Sequence, residues 1–504
     1  MRRFAAGPLA LSLALAGCGG APATDPGATD DPTDGGAART DGGSASDGGS
    51  VSDGGSASDG GSVSDAGSVS DGGSVSDAGS VSDGGLGDAG WTAPDGYASD
   101  LSRDILSTEL TLDVTALTGT ARLRVAPDSS STGASFEARG LVVSGVTDGA
   151  RALPWRVNAG ILDIAVAPGA APTLVVDYAF AKQDNDMGLA LNGAYTLLWP
   201  TFCDNLFPCH SDPADGSTFT LSVTGVPAGE LAVYAPVIPA PAPAYQLGFV
   251  VGSSYAKTDL GTTSARTRVV SWAEIGYAAK TAKGTVHLRD AFDWYEQTYG
   301  PYSFGDEVGT VGVDWGVSGY DGMEHHPLWH VDVAALTDEL THLHEAAHGW
   351  YGDGVRIACW EDFVLSEGTV NYISARALGK VAGAAAEQAA FDGYVSGLAD
   401  AQAAPGPHVA RPPGCNTIDP LQYFTDIPYD KGALFFRALA ARLGADVVDG
   451  VLRDFYLAHV GGAAGMQDLV DFVHAKTGYD ASPCATAWLW TEATPTGALA
   501  TRCP

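Results

Sequence analysis

Two neighbouring segments of the chain combine histidine with acidic side chains. GYDGMEHHPLWH spans residues 319–330, and HLHEAAHGW begins a dozen residues later, at His342. Imidazole and carboxylate groups are common ligands of divalent metal ions and common acids and bases in catalysis. The sequence therefore raises three alternatives: one centre built from both segments, two separate centres, or one metal centre beside residues with a different task.

The HExxH pattern in the second segment suits a metal site on a helix. ALTDELTHLHEAAHGWYG carries an apolar stripe at helical spacing and ends at glycines, which predicts a helix. His344 and His348 are four residues apart and would project from one face, with Glu345 beside them. Such a five-residue match arises by chance in a chain of this size on the order of once in a hundred. A charged helix face is the alternative.

A second predicted helix offers a third ligand. Glu367 lies in WEDFVLSEGTVNY, and eighteen residues separate it from His348. Catalytic zinc sites take three protein ligands and keep a fourth position open, and two histidines with a glutamate form one known set. The metzincin pattern requires Gly and His at positions where this chain has Tyr351 and Gly354. That class is excluded.

Taken together, these motifs resemble the aminopeptidase N-like zinc metallopeptidases, the gluzincin family that includes leukotriene hydrolase. The family pattern is HExxHxWxG…WxxxxLxEG, and HEAAHGWYGDG…WEDFVLSEG is similar to it. FPCHSDP at 207–213 resembles the family's FPCxDEP, WYEQTYGPYSF resembles the lead-in to its catalytic domain, and YDKGALFFRAL resembles YxKGAxxxxML. The resemblance covers about residues 100–500.

The resemblance implies a catalytic centre with one zinc ion per chain. His344, His348 and Glu367 would hold the ion, and Glu345 would act as the general base that takes a proton from the attacking water and passes it to the leaving amine. Tyr429, in the YDKG motif, would donate a hydrogen bond to the developing oxyanion, which is typically worth about 3 kcal/mol. Without the resemblance, Tyr429 is a core aromatic at a helix start.

The first histidine-rich segment resembles the family's GxMEN strand, whose glutamate binds the free α-amine of the substrate. Gly322, Met323 and Glu324 keep the Gly-Met-Glu, and His325 replaces the asparagine. The resemblance assigns Glu324 to the substrate ammonium and makes Gly322 and Met323 part of the substrate-binding strand. The replaced asparagine leaves a zinc endopeptidase of the same class as the alternative to an aminopeptidase. No residue before FPCHSDP matches the family's amine-binding glutamine.

Other polar residues near these motifs receive weaker assignments. His325, His326 and His330 are predicted to bind no metal, because the three-ligand set is already complete. Asp362 either supports a metal ligand or is an exposed helix acid. Because every chemical residue is present, a catalytically inactive surface binding protein is the least favoured alternative.

The patterns around the motifs predict an α+β protein with two folded domains. From about 104 to 270, short alternating runs are separated by Gly, Pro, Asp and Asn, which predicts an all-β domain. Later segments have helical spacing, apart from EVGTVGVDWGV and the first histidine-rich segment, which are predicted strands; the helix in PYDKGALFFRALAARLG is predicted to begin after Pro428. We assign 91–275 to the β domain and 276–504 to the catalytic domain. The resemblance implies a saddle- or sandwich-like β domain and a thermolysin-like, mainly helical catalytic domain.

The N-terminal ninety residues predict export and anchoring. Residues 1–18 combine two arginines, a short apolar run and a lipobox ending at Cys18, which predicts a lipoprotein signal and a lipid anchor. Residues 19–90 are rich in Asp, Gly and Ser, and too poor in apolar residues to fold, which predicts a disordered tether. A calcium-binding β-roll is disfavoured because its repeats run nine residues. Gly19 favours the outer membrane of a bacterial envelope.

Charge and cysteine content complete the expectations. The net charge of −34 argues against nucleic acid as a partner, and we expect a monomer that takes peptides with a free N-terminus. Six cysteines remain beyond Cys18, which in an oxidising compartment favours disulfides over a zinc–thiolate site. Short loops favour Cys203 with Cys209 and Cys484 with Cys503, leaving Cys359 with Cys415, but six cysteines allow fifteen pairings. The chain ends soon after ATAWLWTEATPTG, so the resemblance implies a relative without the C-terminal helical domain.

Overall fold

The computed structural model describes most of the chain beyond the predicted tether. The described residues are 91–93, 97, 99–190, 195–316, 321–422 and 424–504. The predicted signal, lipid anchor and tether, residues 1–90, lie outside them, as do Gly319 and Tyr320 of the first histidine-rich segment. Among the helices in these ranges, none combines the length and apolarity that a membrane crossing needs.

The N-terminal part is built from short strands, as the alternating patterns predict. In β2, for example, Ala121 and Leu123 are buried whereas Arg122 and Arg124 are exposed, so one face of the sheet covers a core. The strands are β1 (Ile105–Asp113), β2 (Thr118–Val125), β3 (Gly133–Glu137), β4 (Val142–Thr147), β5 (Trp155–Asn158), β6 (Ile161–Ala165), β7 (Thr173–Ala179), β8 (Lys182–Gln183), β9 (Gly188–Ala190), β10 (Thr196–Leu197), β11 (Ser217–Thr224), β12 (Leu231–Tyr234), β13 (Val237–Ala242) and β14 (Phe249–Gly252).

These strands form several sheets. The largest has the order β13-β11-β1-β2-β7-β4, with β1 parallel to β11 and antiparallel to β2. Smaller sheets have the orders β3-β6-β5, β10-β9-β8 and β12-β14. The largest sheet and the β3-β6-β5 sheet bury apolar side chains in the same core, including Leu123 and Val176 from the former and Phe136 and Leu162 from the latter.

A further sheet carries the first histidine-rich segment. Its strands are β15 (Tyr255–Thr262), β16 (Arg268–Glu274), β17 (Glu307–Val313), β18 (Gly322–Met323) and β19 (Leu328–Asp332), in the order β15-β16-β17-β19-β18. The parallel pairing of β16 with β17 crosses the domain boundary that the sequence placed at 275/276. Alternation identifies a strand but not the sheet that it joins, so the sequence could not show this pairing. The short β18 lies at the edge, antiparallel to β19.

Helices form most of the chain after residue 277. They are α1 (Ala278–Gly284), α2 (Leu288–Tyr299), α3 (Glu339–Ala347), α4 (Phe363–Ala382), α5 (Ala384–Ala403), α6 (Asp426–Leu443), α7 (Ala445–His459), α8 (Met466–Thr477) and α9 (Ser482–Leu489), and a short pair of strands, β20 (Arg356–Ile357) and β21 (Ala463–Ala464), lies among them. The HExxH motif lies on α3 and its C-cap, Glu367 on α4, and the YDKG motif on α6.

The start of α6 differs from the prediction. The helix begins at Asp426, two residues before Pro428, and not after the proline. Thr425 caps it by accepting a hydrogen bond from the Ile427 amide at 3.3 Å. Proline is tolerated here because an N–H group in the first turn of a helix has no intrahelical partner to lose.

Two glycines set the close approach of α4 and α6. A Cβ added to Gly368 would lie 2.6 Å from the Cα of Gly432, so neither position has room for a side chain. Gly368 follows Glu367, and Gly432 belongs to the YDKG motif. This contact therefore fixes the distance between Glu367 and Tyr429.

Disulfides and a buried arginine hold the remaining segments. The bonded pairs are Cys203–Cys209, Cys359–Cys415 and Cys484–Cys503, which selects one of the pairings that the sequence left open. Arg356 lies in β20, and its guanidinium donates to the carbonyls of Ala214 at 3.2 Å and Pro241 at 2.9 Å. These bonds join the helical part to the N-terminal strands.

Candidate metal centre and substrate pocket

Two histidines and a glutamate converge where α3 faces α4. The Nε2 atoms of His344 and His348 lie 3.2 Å apart. The Oε2 atom of Glu367 lies 3.1 Å from the first of these nitrogens and 3.4 Å from the second. The helical spacing of the histidines puts both rings on the face of α3 that packs against Glu367.

Hydrogen bonds to the other ring nitrogens orient both histidines. The Nδ1 atom of His344 lies 2.8 Å from Oδ1 of Asn371, one turn beyond Glu367 on α4. The Nδ1 atom of His348 lies 3.1 Å from the carbonyl oxygen of Tyr351. Because a carbonyl oxygen only accepts, each Nδ1 carries the hydrogen, and each Nε2 is left to face Glu367.

The geometry of these three atoms fits a divalent metal ion. Ligands at about 2.0–2.1 Å from zinc with tetrahedral angles lie about 3.3 Å from one another. The observed separations of 3.1–3.4 Å match that value. Two nitrogens and one oxygen are also a donor set that zinc accepts in catalytic sites. These residues therefore fit the predicted ion.

The electrostatics of the cluster attract positive charge. Burial by itself would raise the pKa of Glu367, but His348 and then hydrogen bonds from both histidines lower it to about 2. Burial opposes protonation of His348, but the charges of Glu367 and then Glu324 raise its pKa well above the usual range. A cation between these groups replaces the proton that they otherwise hold.

Glu345 lies between the metal ligands and the edge strand. Its Oε1 atom packs against the backbone of Gly322, where a Cβ would collide with it. Its Oε2 atom is buried and has no hydrogen-bond partner among the described residues. Burial raises the pKa of Glu345 well above its usual range; His348 opposes this shift, and Glu324 adds to it. A carboxylate in this state readily accepts a proton, as a general base must.

Glu324 follows directly after β18 and lies near Glu345. Oxygens of these two carboxylates and a ring nitrogen of His348 all lie within 4.8 Å of one another. Burial raises the pKa of Glu324 to about 7, the charge of His348 lowers it, and that of Glu367 raises it further. Met323, its neighbour on the edge strand, lines the same pocket. The structure thus brings the predicted amine-binding segment to the predicted metal ligands.

Tyr429 lies beside the ligand His344, on α6. Its ring stacks on that of His344 with centroids 6.0 Å apart and packs edge-on against Phe363 at 5.5 Å. Burial, and then the charges of Glu367 and Glu324, raise its pKa well above the usual range. The hydroxyl therefore keeps its proton near neutral pH and can donate a hydrogen bond.

The residues of the centre open into one pocket of about 680 Å³. The N-terminal part contributes Trp199 to its wall, a few residues before FPCHSDP, and no glutamine is found among the described lining residues. Trp199 packs against Phe424 with ring centroids 3.9 Å apart. An aromatic wall therefore faces the pocket from the part of the chain where the resemblance led us to look for a glutamine.

The three histidines that follow Glu324 make other contacts. His326 accepts a hydrogen bond from the Tyr302 hydroxyl at Nδ1, over 2.7 Å, and donates from Nε2 to the carbonyl of Glu345, over 2.7 Å. His325 and His330 face each other with their Nδ1 atoms 3.0 Å apart. In the described part of the chain, no cluster of three potential metal ligands includes any of them. His326 instead ties the edge-strand segment to the backbone of the catalytic helix.

Asp362 has neither of the roles considered for it. It is buried, with 2% of its surface exposed, and it accepts hydrogen bonds from Arg411 at 3.0 Å and from the Met466 amide at 2.8 Å. It thus joins the start of α8 to the loop before α6. The residue pattern could not show this because its partners are 49 and 104 positions away in the chain.

Sequence reasoning also missed several residues that support the site. Asn371 orients His344, and its position one turn after Glu367 on a helix was the available signal. Lys431 of the YDKG motif is fully buried and donates to the carbonyls of His408 at 2.7 Å and Thr491 at 2.8 Å. No local pattern indicates that the lysine anchors two distant loops behind α6.

A comparison with known proteins assigns a family to the segment that holds these residues. Residues 334–488 match the peptidase family M1 domain. This segment of the chain is thus similar to the M1 peptidase domain. The matched segment includes α3, α4 and α6, and with them His344, Glu345, His348, Glu367 and Tyr429.

Curated proteins that are similar to this chain include aminopeptidases and a leukotriene A-4 hydrolase. The chain is 25% identical to aminopeptidase N of Streptomyces lividans over 215 residues, which cover 40% of this chain and 25% of that protein. It is 24% identical to leukotriene A-4 hydrolase of Xenopus laevis over 283 residues, 51% of this chain and 45% of that one. The chain thus matches less than half the length of each of these two proteins.

Solved structures share the fold of the segment that matches the family and of the strands before it. The M1 zinc metallopeptidase of Deinococcus radiodurans superposes with a TM-score of 0.67 at 21% identity, covering 78% of this chain and 95% of that one. Yeast LTA4 hydrolase superposes with a TM-score of 0.65 at 20% identity, covering 78% and 68%. The fold therefore extends over both the strand-rich and the helical parts.

Proposed function

We propose that this protein is a zinc-dependent aminopeptidase that removes residues from the free N-terminus of peptides. The observation that carries the proposal is the convergence of three ligand atoms within 3.4 Å of one another, with Glu324 and Glu345 beside them in one pocket. The names of the relatives support it, since they include aminopeptidase N and leucine aminopeptidases.

His344, His348 and Glu367 hold the zinc ion. When bound, zinc acts as a Lewis acid that polarises the substrate carbonyl and makes water a stronger acid. The orienting bonds from Asn371 and Tyr351 keep both imidazoles in the tautomer that can serve as ligand.

Glu324 binds the substrate's ammonium group and so selects peptides with a free N-terminus. Glu324 is buried and forms no salt bridge with a described lysine or arginine, so it gains a strong, charge-assisted hydrogen bond from an ammonium group. The ammonium position then fixes which peptide bond lies over Glu345. In the Deinococcus radiodurans enzyme, a structure with a Tyr-Ser-Ala substrate shows that this fold accommodates a short peptide.

Glu345 takes a proton from the attacking water and passes it to the nitrogen of the leaving amine. Its raised pKa allows it to hold that proton between the two steps. Tyr429 donates its O–H to the carbonyl oxygen as negative charge develops there, and the close packing of α6 on α4 holds it in place.

A pair of peptides tests the amine anchor. We expect Leu-Gly-Gly to be cleaved after its first residue and N-acetyl-Leu-Gly-Gly to be resistant, by at least about a hundredfold in kcat/KM, because the blocked amine leaves Glu324 unpaired. Equal cleavage of both peptides would exclude the anchor and favour the endopeptidase. Cleavage of neither by zinc-loaded protein would contradict the enzymatic proposal and favour the surface binding protein.

Two variants separate the roles of Glu345 and Tyr429. Glu345→Gln should retain one zinc ion per chain and lose turnover by about a thousandfold or more, because it removes the base and keeps the ligands. Tyr429→Phe should retain zinc and lower kcat by about a hundredfold, the usual effect of removing one oxyanion donor. Metal analysis with steady-state kinetics checks both, and a loss of zinc in either variant would contradict the assigned role.

The proposal extends to the location of the protein. The mature chain is anchored to the outer membrane of a bacterial envelope through a lipid on Cys18, and residues 19–90 form a tether that holds the folded part away from the surface. The lipobox and the composition of the tether support this. Cys18→Ser should move the protein from the membrane fraction to the soluble fraction after cell lysis, whereas an unchanged distribution would contradict the anchor.

A further inference from the structure

The wall of the pocket beyond Glu345 is acidic and has few counter-charges. Asp321, Asp426 and Asp430 line it, and they come from the segment before β18 and from the first turns of α6. Lys283 is the sole lysine or arginine among the described lining residues. None of the three aspartates forms a salt bridge with a described residue, and their environments contain no basic group that shifts their pKa.

Asp430 shows that this wall is built for a ligand. Only 5% of its surface is exposed, yet its carboxylate accepts no hydrogen bond from any described residue. Its Oδ2 atom lies so close to Gly397 on α5 that a Cβ there would approach to 2.6 Å. Burial, and then the charge of Asp426, raise the pKa of Asp430 well above its usual range, so this carboxyl group holds a proton until a cation arrives to compensate its charge. The glycine therefore leaves space beside a buried carboxyl group that has no partner among the described residues.

Helix α6 places Asp426 and Asp430 beside Tyr429. Asp426, Tyr429 and Asp430 are three and four positions apart and share one face of the helix. Burial raises the pKa of Asp426 to about 6. The pKa of Asp321 is also raised to about 6, first by burial and then by the charges of nearby aspartates, Asp426 among them. Both carboxylates are thus mostly ionised at neutral pH and repel each other, which an incoming cation would relieve.

The acidic wall lies on the side of the pocket where the leaving part of the substrate must pass. Glu324 binds the N-terminal ammonium in the proposed function, and Glu345 packs against Gly322, two residues back along the strand. Asp321 directly precedes Gly322. In an extended chain, its Cα atom lies at most about 10 Å from the Cα atom of Glu324. A peptide that runs from Glu324 past Glu345 therefore continues towards Asp321, with its second and third residues beside the acidic wall.

The spacing of these acids does not suit a metal ion. Among the described residues, the groups of three potential ligands whose atoms lie within 4.8 Å of one another include none of Asp321, Asp426 and Asp430. On the α5 side, the wall includes Tyr394 and small residues such as Ala390, Gly393 and Gly397, which leave room for a long side chain. An ammonium or guanidinium on a flexible stem can reach between separated carboxylates, whereas an ion needs its ligands close together.

We propose that the wall formed by Asp321, Asp426 and Asp430 binds a lysine or arginine side chain one or two residues beyond the cleaved bond. The inference rests on the proposed aminopeptidase function, which defines the direction of the substrate. The enzyme then prefers peptides that carry a basic residue at the second or third position, whatever their first residue.

Kinetics with matched tripeptides test the preference. Ala-Lys-Ala and Ala-Ala-Lys are compared with the same peptides containing norleucine, which keeps the stem and removes the charge. We expect kcat/KM to be about tenfold higher for at least one lysine peptide than for its norleucine counterpart at low ionic strength. Asp426→Asn with Asp430→Asn should reduce this ratio to about twofold or less. A ratio near one in the unmodified enzyme, or an unchanged ratio in the double variant, overturns the proposal.

A matched control removes a different acid from the same pocket. Glu339 also lines it, but its carboxylate is already paired with the ring of His287. Glu339→Gln should leave the lysine-to-norleucine ratio within about twofold of its original value. If this variant lowers the ratio as much as the double variant does, the preference comes from the general field of the pocket and the assigned wall is wrong.

Binding separates a failure of this proposal from a failure of the proposed function. Dissociation constants of the four peptides are measured by calorimetry with zinc-loaded Glu345→Gln protein. Preferential binding of a lysine peptide without turnover by the unmodified protein would retain the cationic site and reject the peptidase. Equal binding of lysine and norleucine peptides rejects the cationic site, whether or not the peptides are cleaved. A second metal ion per chain that is lost in the double variant would also reject it.

Discussion

The two histidine-rich regions of this protein are similar in composition and different in what the rings face. On α3, His344 and His348 direct their Nδ1 atoms to oxygen acceptors and their Nε2 atoms to one point beside Glu367. After β18, His326 uses both nitrogens in hydrogen bonds, and His325 and His330 face each other. A metal site thus requires lone pairs that converge, and the number of histidines does not create one.

The charges around the two regions differ as well. His348 is buried beside carboxylates, whose charge raises its pKa well above the usual range. His330 is equally buried with no such neighbour, and burial lowers its pKa to about 3. One region therefore attracts a cation and the other excludes it, although each histidine lies inside the protein.

The largest expected effect comes from removing a ligand. His348→Ala should abolish stoichiometric zinc binding and reduce kcat/KM by about ten-thousandfold or more, because two ligands hold zinc too weakly and the ion supplies the chemistry. Zinc per chain after dialysis, measured by plasma emission spectroscopy, checks the first effect.

The matched change in the other region is His330→Ala. This variant should keep one zinc ion per chain, since no described ligand cluster contains His330. Loss of zinc from well-folded His330→Ala protein would mean that the two regions form one metal centre. It would contradict the assignment of the ligands to α3 and α4 alone.

An intermediate effect is expected from the histidine that links the two regions. His326→Phe removes the hydrogen bonds to Tyr302 and to the Glu345 carbonyl and leaves both partners buried. We expect zinc to be retained and kcat to fall about tenfold to a hundredfold, with a smaller change in KM. The reason is that a shift of the Glu345 carboxylate by about an ångström is enough to slow the reaction.

Tyr302→Phe is the control for that variant. It removes one of the two hydrogen bonds of His326 and keeps the bond to the backbone of Glu345. It should lower the melting temperature by a comparable amount but reduce kcat less than His326→Phe does. Equal losses of kcat in the two variants would show that His326 stabilises the fold by packing and does not position Glu345.

The smallest expected effect is a pH dependence of stability. Burial lowers the pKa of His330 to about 3, below the value of about 6.5 in an unfolded chain. The unfolded state therefore binds more protons between these values, so the free energy of unfolding contributed by His330 is fully present above pH 6.5 and is lost as the pH falls towards 3. The loss is up to about 1.4 kcal/mol per pH unit.

Denaturant unfolding between pH 6.5 and 4.5 measures this effect. His330→Asn cannot take up a proton in this range, so its free energy of unfolding should decrease less steeply with falling pH than that of the unmodified protein. Identical slopes would mean that His330 is accessible to protons in the folded state. Such a result would remove the electrostatic contrast between the two regions.

The sequence predicted helices and strands well where apolar residues recur with a regular period. It predicted helix ends and strand pairing less well, because these depend on tertiary packing. The strand-rich part from β1 to β16 and the helices α3 and α6 lie in the regions where alternation or helical spacing indicated them. The start of α6 was predicted three residues late because proline ends many helices but is tolerated in a first turn. The pairing of β16 with β17 depends on which strand meets which, and the pattern of one strand does not contain that information.

The candidate site divides in the same way. The types and spacing of His344, Glu345, His348 and Glu367 are local properties of two helices, so the sequence alone was sufficient to predict them as a group. The role of Asp362 was not accessible, because its partners Arg411 and Met466 are distant in the chain. The acidic wall was not accessible either, since Asp321 and Asp430 lie more than a hundred residues apart.

By itself the sequence determined the chemistry available to this protein: two histidines one helical turn apart, a glutamate separated from the second by eighteen residues, and an acidic residue in a predicted strand segment before them. Helical and strand periods are short-range, so they can be recognised without the fold. The tertiary structure alone decided which nitrogen each histidine presents, that His326 supports Glu345, and that three aspartates without a salt bridge to any described residue line one pocket. These features depend on the packing of distant segments, because hydrogen bonds and charges act over a few ångströms of space whatever their separation in the chain.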